Sequence, residues 1–261
     1  MKKLKKILAA AVLGACAAYA IFLALAWCLA DKIIFPAPKP SYASLPNLEM
    51  VDAGGGRKIA AVFLPAENSK LCVIYSHGNR EDLKRIMPLM EDYRRRLGAN
   101  VIAYDYFGYG ISGGKMAQAD LPKCADAVYE LALKKGFEPS NMLFVGYSLG
   151  SVPAAYLAAK HPDAMGAVLV GGISRGIKTF LPIDIVPWKI LHNVDNVAAA
   201  KIPILLMHGT RDKKVHMRAA RENLAAAKNA RLVEFQGFGH RGLFEEELYW
   251  SELSKFIKDK K

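Results

Sequence analysis

Cysteine is scarce in this sequence. There are four among 261 residues, and two of them, Cys16 and Cys28, fall in one apolar N-terminal stretch. The others, Cys72 on an expected strand and Cys124 on an expected helix, form no C-x-x-C pair and no Cys/His spacing of a metal site. Whether those two are free or paired stays open at this level. Acidic residues are outnumbered, 24 against 36 basic ones, for a net charge of +12. The basic excess forms no stripe interleaved with aromatics, which excludes a groove for single-stranded nucleic acid. It is scattered over the N-terminal lysines, Arg94-Arg95-Arg96, Lys213-Lys214 and the tail Lys258, Lys260 and Lys261. Beside a membrane such clusters favour anionic head groups; each alone reads equally as a solvated helix face. There is no internal repeat, and no low-complexity tract beyond the N-terminal segment. With 52% hydrophobic and 23% charged residues, the composition is that of a globular chain, and its length suits one large domain.

Charge is missing altogether from Ile7 to Ala30, a run long enough to cross a bilayer as a helix. Lys2, Lys3, Lys5 and Lys6 precede it, and Asp31 and Lys32 close it. A cleaved signal peptide would have a shorter apolar core. Leu13-Gly14-Ala15-Cys16 resembles a lipobox, but the apolar run continues where a polar tether should begin. An uncleaved signal anchor over residues 1–30 accounts for the whole segment. Its lysines belong on the cytoplasmic side, so the remainder of this single-pass chain is expected outside the cytoplasm, on a periplasmic or extracellular face. Residues 31–47 carry Pro36, Pro38, Pro40 and Pro46 and are expected to form a semi-rigid spacer.

From residue 48 to 261 the pattern alternates. Leu48–Asp52 and Arg57–Leu64 flank Gly54-Gly55-Gly56 and predict a β-hairpin. Strands are expected at Leu71–Tyr75, Val101–Asp105, Leu143–Val145, Ala167–Val170, Ile202–Met207 and Arg231–Phe235. Helices are expected at Glu81–Leu97, Ala119–Lys135, from Pro153 to Lys160, Arg218–Lys228 and Leu243–Ile257. Such alternation predicts an α/β fold, a mostly parallel sheet covered on both faces. In such sheets function gathers at the carboxyl ends of the strands.

The polar residues expected there make a pattern. Gly146-Tyr147-Ser148-Leu149-Gly150 reads G-x-S-x-G between a strand and a helix, the context of a nucleophile elbow. A serine on so sharp a turn is strained, and its neighbours two residues away must be small. A serine hydroxyl needs a base, and the base needs a partner that fixes its tautomer. His240, in the glycine-bearing loop after the last strand, stands where a base would. Asp212, just past the strand ending at Met207, stands between Ser148 and His240 in the chain, in the order acid then histidine. Asp184 and Asp195 are rivals that follow no strand. Asp105 precedes Ser148 and is expected to brace the glycine loop after it, and His208 to bond locally. The backbone N–H groups of Leu149 and Asn79 are the expected oxyanion donors, with His77 expected in a structural hydrogen-bonding role beside them and a catalytic base as its alternative.

His77-Gly78-Asn79, Asp105-Tyr106-Phe107-Gly108-Tyr109-Gly110-Ile111-Ser112, the Ser148 pentapeptide, His208-Gly209-Thr210-Arg211-Asp212 and Gly239-His240 occur in the order typical of the α/β-hydrolase superfamily. The chain resembles that superfamily from Leu48 to Ile257. Within it, the pattern is similar to serine aminopeptidase-like hydrolases and to membrane-associated α/β-hydrolase-domain proteins. The resemblance implies a sheet of about eight strands and a Ser148–Asp212–His240 triad. The expected activity is cleavage of carboxylic esters or thioesters through an acyl-enzyme, without metal or cofactor. Acyl ester or thioester would be the substrate, membrane lipid the partner of the N-terminal helix, and nucleic acid no partner. A serine peptidase on the same triad, or a silent membrane-tethered binding protein, are the alternatives. Phe107 stands where relatives often carry Arg. Residues 172–201 are expected to form a short lid, apolar from Phe180 to Trp188, or an ordinary connecting helix. Phe107, Tyr147, Phe180 and Trp188 are the candidate substrate contacts.

Overall fold

The computed structural model describes residues 2–176 and 186–259. Its first element, α1 (Lys2–Ile34), is one helix of 33 residues that runs past Ala30 to Ile34. Alanine and leucine dominate it, and both favour a helix. It buries none of its residues, and Leu13, Ile21, Trp27 and Ile33 all stand exposed. By length and composition it could cross a membrane.

The proline-bearing stretch after α1 is packed against the domain, which corrects the expectation of a spacer. Phe35 and Tyr42 are buried, each in one of the two apolar layers of the domain. Ser41 donates its N–H and its hydroxyl to the Asp82 carboxylate, at 2.7 and 2.6 Å. The prolines keep the backbone extended, and these buried and bonded side chains fasten it.

Eight strands follow: β1 (Leu48–Asp52), β2 (Lys58–Leu64), β3 (Cys72–Ser76), β4 (Asn100–Tyr104), β5 (Met142–Tyr147), β6 (Gly166–Val170), β7 (Ile204–Gly209) and β8 (Ala230–Phe235). They form one sheet in the order β1-β2-β4-β3-β5-β6-β7-β8. β1 and β2 make the opening hairpin, β2 runs antiparallel to β4, and every pair from β4 to β8 is parallel. β3 to β7 are wholly buried, which is why they read as continuous apolar runs; the edge strand β8 is mostly half-buried.

Side-chain alternation splits the core into two layers. Cys72, Ile74 and Phe144 face α3 (Leu121–Lys134) and α4 (Ser151–Lys160). Short helices α5 (Asn193–Ala199) and α6 (Met217–Ala226) complete that side. Val73, Tyr75 and Val145 face α2 (Leu83–Leu97) and α7 (Glu247–Lys258). α2 begins later than its apolar pattern suggests because Asp82 caps it, accepting the Arg85 N–H at 3.2 Å. Gly98, at φ 58°, ends it. The last helix is interrupted at Glu246, whose backbone is extended, so a 3₁₀ turn (Leu243–Glu245) precedes α7. Cys72 and Cys124 are both free and buried, and burial pushes each thiol up to about 12.

Candidate active site

Ser148 sits between β5 and α4 with φ at +53°, a left-handed conformation uncommon outside glycine. The reason for the flanking glycines is steric. A Cβ on Gly146 would lie 2.1 Å from the Gly150 carbonyl oxygen, and one on Gly150 would lie 1.9 Å from the Ser76 carbonyl oxygen. The turn therefore closes only against bare backbone, and the second contact presses it onto the end of β3. Ser151 pins the same turn. Its hydroxyl donates to the Ser148 carbonyl at 2.6 Å and accepts the Ile173 N–H at 3.0 Å. Nothing in the G-x-S-x-G pattern singled out Ser151; its place next to Gly150 was the available signal.

The tertiary structure brings Ser148, His240 and Asp212 together. His240 Nε2 lies 2.9 Å from Ser148 Oγ, and His240 Nδ1 lies 2.6 Å from Asp212 Oδ2. Asp212 Oδ1 accepts the N–H groups of Lys214 and Val215 at 2.8 and 2.9 Å. Burial works against a charged Asp212, but the donors from His240, Val215 and Lys214 outweigh it and hold the carboxyl below its usual range. The hydroxyl, imidazole and carboxylate thus form a continuous relay, with the tautomer of His240 set by its carboxylate neighbour. His208 lies 3.4 Å from Asp212 but bonds Val215 O at 2.7 Å, and burial pushes its pKa down, so it braces the acid's loop as a neutral ring. Asp195 pairs instead with Lys189 and His192 at the surface.

Beside Ser148, the loop after β3 carries His77, Gly78 and Asn79. The Gly78 N–H is taken by Glu81 Oε2 at 2.7 Å. No backbone acceptor takes the Asn79 N–H among the described residues. Leu149 lies in the one-turn 3₁₀ helix (Ser148–Gly150) that follows the elbow. His77 is fully buried; its Nδ1 bonds Gly78 O at 2.8 Å and its Nε2 lies 3.1 Å from Asp105 Oδ1, a charge contact set off the hydrogen-bond axis.

The expected substrate contacts fare differently. Phe107 is wholly buried, with the Arg57 guanidinium 3.9 Å above its ring centre, and does not reach a site surface. Arg57 is held there by both carboxylate oxygens of Asp120, at 3.0 and 2.7 Å. Tyr147 is spent on the base's loop: its hydroxyl donates to His240 O at 2.9 Å and its ring packs 5.1 Å from the imidazole. Trp188 stacks edge-on against Trp27 of α1, with ring centres 5.3 Å apart. It also lines a cavity of about 280 Å³ with Arg175, Val186, Ile190 and His192, in which none of Ser148, Asp212 or His240 takes part. Phe180 and the rival Asp184 fall in residues 177–185, outside the described residues. The expected lid is therefore described only at its two ends, the second of which leads into α5.

Residues 73–202 match the family described as alpha/beta hydrolase fold. Human alpha/beta hydrolase domain-containing protein 17B is 29% identical over 220 residues, covering 80% of this chain and 74% of that protein. Est1E from Butyrivibrio proteoclasticus, solved with ferulic acid bound, superposes with a TM-score of 0.68 at 20% identity, over 81% of this chain and 98% of that one. The Pyrococcus furiosus esterase Pf2001 does so with a TM-score of 0.66 at 19% identity, over 85% and 97%. Strand order, crossover pattern and sequence match agree, and the chain is a member of the α/β-hydrolase superfamily.

Proposed function

We propose that this hydrolase is a membrane-anchored serine enzyme that cleaves carboxylic esters or thioesters. The observation that carries the reading is the unbroken relay from Asp212 through His240 to Ser148, at 2.6 and 2.9 Å, on a strained elbow. Ser148 Oγ attacks the acyl carbon while its proton passes to His240 Nε2. Asp212 holds the ring and stabilises the imidazolium. The carbonyl oxygen becomes an oxyanion beside the N–H groups of Leu149 and Asn79. The C–O or C–S bond then breaks, and His240 protonates the departing alcohol or thiol. Water, deprotonated by the same histidine, attacks the acyl-serine and releases the acid.

α1, apolar and with no buried residue, is the anchor of this reading, with Lys2, Lys3, Lys5 and Lys6 in the cytoplasm and the catalytic domain across the membrane. A charged, membrane-impermeant fluorophosphonate tests both parts. On sealed vesicles with the outer face exposed, the full-length protein should gain one phosphonyl group on the peptide containing Ser148. Labelling that appears only after lysis would reverse the orientation. A folded protein that reacts in neither state would end the serine-hydrolase reading.

The elbow sterics add an expectation. Gly150→Ala must push β3 and its oxyanion loop away from Ser148, since its methyl would sit 1.9 Å from the Ser76 oxygen. A displacement near 1 Å should lower kcat on the order of a hundredfold. Ester hydrolysis by the purified variant checks it, and a kcat equal to wild type would show that the loop and elbow move together.

A further inference from the structure

The carboxyl-terminal end of α1 does not hang free. Its last carbonyls lack partners within the helix, and one of them, Ile34 O, accepts a hydrogen bond from Asn79 Nδ2 at 2.6 Å. One turn earlier, Asp31 Oδ1 accepts the Gln118 N–H at 3.0 Å. One turn before that, Trp27 meets Trp188. The three contacts land on the loops after β3, β4 and β6, which all leave the carboxyl edge of the parallel sheet. That is the edge carrying Ser148, Asp212 and His240.

Asn79 is the contact that reaches the proposed chemistry. A carbonyl can only accept, so the atom facing Ile34 O is the amide nitrogen. The other end of the same amide accepts the Tyr109 hydroxyl. Tyr106 donates to His77 O at 2.6 Å and fastens the same loop. With both ends of its side chain engaged, Asn79 has little rotational freedom, and the orientation of its backbone N–H follows. That N–H has no backbone acceptor among the described residues and is the proposed oxyanion donor.

We propose that the Asn79 side chain is a positioning device that ties the oxyanion loop to the end of α1, so that the loop is competent only when the apolar helix is seated. This rests on the serine-hydrolase reading given above. A plain packing role would make Asn79 a stability residue; the link to α1 makes it a kcat residue whose effect is shared with a distant clamp on the same helix.

The test uses the full-length protein in detergent micelles, a short-chain p-nitrophenyl ester and a fluorophosphonate. Asn79→Asp keeps the acceptor for Tyr109 but sets an oxygen against Ile34 O. It should lower kcat and the labelling rate together, roughly tenfold, with KM within about twofold and the melting midpoint nearly unchanged. Asp31→Ala releases a second clamp of α1 and should lower kcat in the same sense, several-fold. The double variant should fall short of the product of the two losses, as residues acting through one element do. Wild-type kcat in Asn79→Asp overturns the proposal. A loss in Asn79→Asp with none in Asp31→Ala severs the tie to α1 and overturns it too, as does a loss matched by a fall in melting midpoint. Wild-type protein that neither labels nor hydrolyses brings down the hydrolase reading and the proposal with it, an outcome distinct from the others.

Discussion

Ser148→Ala should lower kcat for ester hydrolysis about 10⁴–10⁶-fold while leaving the fold intact. The size follows from the relay. Ser148 Oγ bonds His240 alone among the described side chains, at 2.9 Å, so removing it takes away the attacking atom and breaks nothing that supports the domain. Alanine occupies the φ of +53° with the same Cβ, so backbone strain at the elbow is unchanged. The melting midpoint should stay within about 2 °C of wild type, which corresponds to at most about 0.5–1 kcal/mol. Oxyanion donors and substrate binding survive the change, so residual turnover above the uncatalysed rate is expected. Steady-state kcat on a p-nitrophenyl ester measures it. A variant retaining more than about one per cent of kcat would show that another group attacks the substrate.

The largest effect on stability belongs to Asp105. Its side chain is fully buried and serves two hydrogen-bond donors and one charge contact. Tyr42 donates its hydroxyl to Oδ2, the Leu83 N–H donates to Oδ1 at 3.0 Å, and His77 Nε2 lies 3.1 Å from Oδ1. The site is tight enough that a Cβ on Gly110 would fall 1.9 Å from Asp105 Oδ2, which explains the glycine there. Asp105→Ala leaves the Tyr42 hydroxyl and the Leu83 N–H without this acceptor and His77 without its charge partner. Breaking one member of a buried charged cluster costs about 3–5 kcal/mol, or about 6–20 °C in melting midpoint for a domain of this size.

The loss should depend on pH. Burial alone disfavours a charged His77, but the neighbouring Asp105 outweighs it and holds the imidazole above its usual pKa. A histidine raised in the folded state contributes stability that is complete below its unfolded value of about 6.5 and fades as pH rises through the folded one. In Asp105→Ala that contribution is gone, and a charged His77 would be buried unpaired. The penalty should therefore be larger near about pH 6 than near about pH 9. Urea unfolding of both proteins at the two pH values measures it. A loss below about 1 kcal/mol at both would show that Asp105 is not the centre of this cluster.

Much of the sheet was legible because its strands are buried on both faces. Leu143-Phe144-Val145 and Ala167–Val170 have no polar residue to place outward, and the turns between elements carry glycine. Boundaries moved where a local bond decides them, as at Asp82, which caps α2, and at Glu246, which interrupts the last helix. The meeting of Ser148, Asp212 and His240 could be anticipated from chain order alone, since each follows a strand of one parallel sheet and such strands end at one edge. Phe107 was misread because loop position beside a site says nothing of which way a ring turns; here it turns under Arg57 and into the core.

By its own pattern, then, the amino-acid sequence determined an apolar N-terminal helix, an α/β sheet, and a serine, an acid and a histidine set in order along one edge. These are consequences of hydrophobic period and glycine position, which act over a few residues. Only the tertiary structure decided that the proline-bearing stretch is clamped by Phe35 and Tyr42. The same holds for the bond between Asn79 and the last carbonyl of α1, and for the place of Asp105 beneath three separate elements. Asn79 and Ile34 lie 45 positions apart in the chain, and Tyr42 and Asp105 lie 63 apart. Contacts of that separation are chosen by which surfaces the packed sheet leaves within reach, and no short-range pattern in the letters encodes them.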